Sequence, residues 1–198
     1  MSTIRIGNTL VTYDDKTVSW TAGMAIDGDG AYRAYAPAGS GLPALDYLAN
    51  AGSSRAWFGI VLNEDGTPVV QGPNDPAPGY YVSPSALCDR TKELADPTRY
   101  VPSDLIPYIS VPPEIRDLGV RMGDLCRVRH GSQSCVAICA DVSPHGKLGE
   151  ASIACAIALG IPSSPKNGGI TSGVTYQIYL HTAATPAWPR ALADFVLP

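Results

Sequence analysis

Two carboxylates stand nine positions apart in the segment CADVSPHGKLGEAS, residues 139 to 152, and their surroundings differ. Asp141 closes the apolar run Ala137-Ile138-Cys139-Ala140, while Glu150 follows Gly149 and precedes residues with helical apolar spacing. A carboxyl at the end of an apolar strand loses water, which disfavours its charge. A carboxyl in the first turn of a helix is held ionised by the helix dipole. Acid catalysis at a glycosidic bond needs one protonated and one ionised carboxyl, placed ~6.5–9.5 Å apart in the inverting case. Pro144, Gly146 and Gly149 let the chain fold back between the two. An Asp at a strand end also caps turns and a Glu is common in a first helical turn, so spacing alone leaves both readings open.

The elements needed to hold this pair are short. TIRIGNTLVTY alternates around Gly7-Asn8 and predicts a hairpin, an N-terminal addition spanning about residues 1–20. Met24 to Pro37 carries strand signals broken by Asp27-Gly28-Asp29-Gly30, a tight turn lacking the closing Glu of an EF-hand loop. PALDYLANA, residues 43–51, and SALCDRTKEL, residues 85–94, have helical character. AWFGIVL and TPVVQG form a hairpin across Asn63-Glu64-Asp65-Gly66, and PNDPAPGYY is a proline-rich loop delivering two tyrosines. IPYISVP, LCRVRH, SCVAICADV and VTYQIYLH read as strands, and Ile153, Ala154, Ile157 and Ala158 as one face of a helix starting near Glu150. Many short strands, few helices, 20 Gly and 18 Pro point to a mainly β protein, a small barrel formed as one domain over residues 1–198.

Composition removes several classes. A formal net charge of −4 without a Lys/Arg cluster argues against nucleic acid. No apolar run is long enough to span a bilayer, and residues 1–15 lack the basic start and apolar stretch of a signal peptide. The expectation is a cytoplasmic protein as written, or one exported by a signal-independent route to act outside the cell. Five cysteines without metal-type spacing read as buried thiols, and neither metal nor cofactor is expected. Ser143 and Ser152 have no His/Asp partners in sequence reach, which disfavours a serine hydrolase.

CADVSPHGKLGEASIACAIALGI resembles the core motif of the glycoside hydrolase family 75 chitosanases, in which an Asp is followed nine residues later by Glu in a Gly-Glu-Ala-Ser context. MAIDGDGAYRAY, ALDYLANAG, PVVQGPNDPAPGYYVS, IPYISVP and MGDLCRV extend the resemblance in order over about residues 24–180. It implies a six-stranded double-psi β-barrel with a few short helices. It implies too an endo-acting, inverting hydrolase of β-1,4-linked glucosamine polymer, with Asp141 and Glu150 as the essential carboxyls. The acid is expected to be Asp141 and the base Glu150, and strand-end Asp residues of double-psi-barrel lytic transglycosylases resemble Asp141 in this respect.

Asp27, Asp29, Asp46 and Asp75 lie in the shared blocks and suit substrate ammonium groups; Tyr80, Tyr81, Tyr32 and Trp57 suit sugar faces. Lys147 and His145 are expected to face water. Two other readings stand beside the chitosanase one. A peptidoglycan-cleaving glycosidase, muramidase-like and phage-associated or deployed as an antibacterial effector with an immunity or secretion partner, would fit the absent signal and free cysteines. A non-catalytic carbohydrate-binding barrel would merely retain the motif.

Overall fold

The computed structural model describes residues 1–54 and 56–198. Among the described residues there are ten strands: β1 (Ser2–Ile6), β2 (Thr9–Tyr13), β3 (Thr17–Asp27), β4 (Gly52–Ser53), β5 (Ala56–Trp57), β6 (Tyr108–Ser110), β7 (Leu125–His130), β8 (Gln133–Asp141), β9 (Glu150–Ser152) and β10 (Ile170–Tyr179). Two short helices, α1 (Pro113–Arg116) and α2 (Ile153–Ala158), and three 3₁₀ turns complete the elements. Six strands run in the order β3-β10-β7-β8-β6-β9, and β9 pairs back onto β3, closing a mainly β barrel. The β1–β2 hairpin expected around Gly7-Asn8 is present and extends the β3 edge.

Alternation along the strands sorts side chains into two apolar clusters. Ile109, Cys126, Val128, Cys139, Ala151, Tyr176 and Ile178 join the larger one, whose Trp20 and Tyr176 rings stack with centroids 5.1 Å apart. Their sequence neighbours Tyr108, Leu125, Ile138 and Ala140 face the other way, into a cluster with Leu87, Val101 and Phe195. Burial on both faces gives β8 a continuous apolar run and one wetter face gives β10 its alternation, and these patterns make the strands legible in the sequence. The stretch from Gly28 to Pro107 is mostly irregular. It holds the hairpin-like turn at Asn63–Thr67, a 3₁₀ turn at Leu48–Ala51 in place of the helix over 43–51, and no helix over 85–94. There the Asp89 and Asp96 carboxylates accept the backbone N–H groups of Thr91 and Thr98, turn bonds that compete with helix formation.

The 150s also differ from expectation. Glu150 begins strand β9, and α2 starts only at Ile153, with Ser152 as its N-cap accepting the Cys155 N–H at 3.1 Å. Ile153 and Cys155 are buried, whereas Ile157, expected on the packed face, is 62% exposed. Glu150 therefore belongs to the sheet that closes the barrel, where its N-terminal neighbour Gly149 has φ +84° and its carbonyl accepts the Ala25 N–H at 2.8 Å. A Cβ at position 149 would overlap the Gly23 carbonyl oxygen. Positive φ and this backbone contact together make Gly149→Ala destabilising by about 2–3 kcal/mol, a fall in Tm of about 5–10 °C by scanning calorimetry.

Candidate acidic active site

Strand pairing decides how far apart the two motif carboxylates sit. Ser110 on β6 is the Cα partner of Asp141 on one side and of Glu150 on the other. Two interstrand spacings of ~4.8 Å then put their backbones about 9–10 Å apart. Asp141 occupies that register only because Ala140 is a bulge: Ile109 pairs with Cys139, and the next β6 residue, Ser110, pairs with Asp141. One-residue insertions of this kind re-aim side chains at barrel rims.

Two further acids arrive from the end of β3. Asp27 is its last residue, pairs with Ser152 on β9, and accepts Ser110 Oγ–H at 2.6 Å and the Asp29 N–H at 2.9 Å. The Ser103 hydroxyl donates to the Asp27 carbonyl and accepts the Ile153 N–H at 3.1 Å, tying the β3 end to the start of α2. Asp29 accepts Tyr35 O–H at 2.7 Å and Ser83 Oγ–H at 3.3 Å. Tyr35 also reaches Asp46, 3.5 Å away, whose carboxylate is otherwise engaged by the Tyr47 N–H and the Asn50 amide. Asp141 accepts the Val142 N–H at 2.8 Å and the Ala86 N–H at 3.2 Å. One oxygen each of Asp27, Asp29 and Asp141 lie within 4.8 Å of one another.

These groups line a cavity of about 780 Å³. Its described lining holds five carboxylates, Asp27, Asp29, Asp46, Asp141 and Glu150, against one lysine, Lys147. Burial, with the charges of Asp27 and Asp141 beside it, pushes the Asp29 carboxyl well above the usual range. Burial and the Asp27 charge do the same for Asp141, outweighing its two backbone donors. Glu150 is raised by burial and by Asp27, a rise opposed by the Lys147 ammonium 2.6 Å away. Lys147, expected to face water, is thus the counter-ion of Glu150, and it fills the part assigned from sequence to a helix dipole. His145 is exposed as expected, with Nδ1 3.2 Å from Glu114 of α1 across the cleft mouth.

The sequence-predicted residues divide cleanly. Asp141, Glu150, Asp27, Asp29 and Asp46 converge on the cavity. Asp75, Tyr80 and Tyr81 lie outside its described lining. Asp75 accepts the Gly72 N–H within its own turn, Tyr80 is buried with Ala36 and Ala77, and Tyr81 packs against the cluster around Tyr35 and Ile60. The proline-rich loop spends its two rings on anchoring itself. Trp57 packs into that same cluster, while its neighbour Phe58, 70% exposed, lines the cavity and presents an aromatic face to it. Ser110, Ser83, Tyr35 and Phe58 had no signal in the sequence, because isolated Ser, Tyr and Phe residues acquire these partners only through long-range pairing.

The arrangement can store a proton among close carboxyls, present an ionised Glu beside Lys147, and attract positive charge. The Asp27, Asp29 and Asp141 oxygens are also close enough to share a divalent cation. Compared with protein-family models and with curated proteins, the chain matches none.

Crowding of acids carries a stability cost with a definite sign. A carboxyl whose folded pKa is raised binds its proton more tightly in the folded state, so stability falls as pH rises from about 3.8 through the raised value. Asp29→Asn, which keeps an oxygen for Tyr35 and Ser83 but no charge, is therefore expected to raise Tm by about 2–4 °C at pH 7–8. The gain should disappear near pH 4, and calorimetry at both pH values checks it.

Proposed function

We propose that the chain is a glycoside hydrolase that cleaves β-1,4-linked glucosamine polymer, chitosan, internally and with inversion. The observation that carries this reading is the lining of five carboxylates and one lysine around the Asp141–Glu150 pair. A polymer bearing an ammonium on each sugar is drawn to such a site, and its positive charge relieves the repulsion among the acids. An N-acetylated peptidoglycan strand offers no such cations. Likeness to the family 75 motif agrees with the pair, and the two parallel pairings, β3–β9 and β6–β8, within an otherwise antiparallel ring support a double-psi barrel.

In this mechanism Asp141 is the general acid. Its desolvated, raised carboxyl keeps a proton that it gives to the glycosidic oxygen as the bond to the anomeric carbon breaks. Glu150, on the far side of β6, takes a proton from the water that attacks that carbon from the opposite face. A backbone separation of about 9–10 Å leaves room for sugar and water between the two. Burial and the Asp27 charge favour the protonated form of Asp141, and Asp27, Asp29 and Asp46 face the amino groups. Phe58 supplies a stacking surface at the mouth.

Incubation with chitosan oligomers and, separately, with purified cell wall, followed by mass spectrometry, tests the substrate. Cleavage of the first only is expected; cleavage of the wall alone would transfer the same carboxyls to peptidoglycan. Asp141→Asn and Glu150→Gln should each lower the chitosan rate by about 10²–10⁴-fold, and EDTA should leave it unchanged if protons and substrate cations, rather than a metal, balance the cluster. Unchanged rates in both variants would sink the two-carboxyl mechanism.

Lys147 gives a separate check. Removing its ammonium in Lys147→Met raises the Glu150 carboxyl further, so the base is lost at higher pH than in the wild type. The acid limb of the kcat/KM profile is therefore expected to move upward, while the alkaline limb, set by Asp141, stays in place.

A further inference from the structure

Away from the acidic cleft, two thiols meet between β8, which ends in Asp141, and α2, which follows the strand of Glu150. Cys135 is the third residue of β8 and Cys155 the third of α2, and their Sγ atoms are 3.5 Å apart. A disulfide needs ~2.05 Å, so roughly 1.5 Å of closure would suffice, within the scope of χ1 rotation and a small helix shift. Cys155 is fully buried, whereas Cys135 is partly buried beside the β7–β8 turn, directly after the exposed residues Gln133 and Ser134. Cys126 and Cys139 are enclosed in the core, where burial pushes both thiols up. The contact with Cys155 has the reverse effect on Cys135, lowering its pKa by a hydrogen bond to the sulfur. This asymmetry is that of an attacking thiol paired with a resolving one.

We propose that Cys135 and Cys155 are a peroxide-oxidisable pair that forms an intramolecular disulfide, closing a covalent ring around both Asp141 and Glu150. The Cys135 thiolate attacks one oxygen of hydrogen peroxide: an S–O bond forms, the O–O bond breaks, and hydroxide leaves to be protonated to water. The Cys155 sulfur then displaces hydroxide from the Cys135 sulfenic acid. The S–S bond forms as S–O breaks, and the Cys155 proton departs with the hydroxide as a second water. Two thiols and one peroxide thus yield one disulfide and two waters, the sulfurs losing the two electrons that the peroxide gains.

The two cysteines are 20 positions apart, and the strand end, turn and β9 that present the carboxylates lie wholly between them. Oxidation would fasten α2 to β8 and restrict the unfolded chain, without touching the cavity lining. The inference stands on the thiol geometry and does not depend on the substrate.

Treatment of the full chain with hydrogen peroxide, followed by intact-mass measurement and tryptic mapping without reductant, tests it. The expected result is loss of two hydrogen masses and a linked pair of peptides, 130–147 joined to 148–166, with fragmentation placing the bond at Cys135 rather than Cys139. Tm should rise by about 5–10 °C, reversibly on adding a thiol reductant. Cys135→Ser should abolish the link and Cys139→Ala preserve it. Oxygen added to Cys135 without cross-linking, a bond through Cys126 or Cys139, or thiols that remain fully alkylatable after peroxide would each overturn the proposal.

Discussion

Three residues of backbone pairing hold the site together. β9, only Glu150 to Ser152, hydrogen-bonds to β3 on one side and β6 on the other, and through it the six-stranded ring closes. Without that strand the end of β3, with Asp27 and Asp29, would have no fixed relation to the end of β8, with Asp141. Each of its residues has a second duty. Glu150 projects to the cavity, Ala151 fills the core, and Ser152 caps α2 while accepting the Tyr108 N–H of β6 at 2.9 Å. Gly149, in a conformation that a side chain would strain, makes the entry into this short strand feasible.

Closure in this register forces carboxylates together, and the remaining polar groups are arranged to tolerate it. Ser110, Tyr35, Ser83 and three backbone N–H groups donate to Asp27, Asp29 and Asp141, and Lys147 donates to Glu150. Donors of this kind stabilise the ionised forms, yet burial wins at Asp29, Asp141 and Glu150, whose carboxyls all rise. A protein selected for stability alone gains little by burying four acids at one rim. The cost is intelligible if the cluster holds a proton for transfer and draws in a cationic chain.

The parts of this architecture visible in the sequence are those set by local pattern. β10 alternates, β7 and β8 carry apolar runs of strand length, the Gly7-Asn8 turn announces its hairpin, and Asp141 at the end of its apolar run is placed where that pattern implies. β9 is too short to show a period of its own and merges with the helical spacing that follows, so Glu150 reads as a helix start although it is a strand residue. Tyr80 and Tyr81 have the chemistry of a sugar platform, but an irregular segment of this length needs apolar anchors, and they serve as such. Phe58 and Lys147 take their roles from loops whose course depends on contacts far away in the chain, which no local signal encodes.

The separation of Asp141 and Glu150 across β6 gives the proposed hydrolysis a definite stereochemical outcome. Proton NMR of the reducing ends released from a β-1,4-linked glucosamine oligomer, recorded before mutarotation, reads it directly. The account predicts that the α-anomer appears first, as a water activated by Glu150 attacks opposite the departing bond. First appearance of the β-anomer, or no cleavage of the oligomer at any pH, would contradict it.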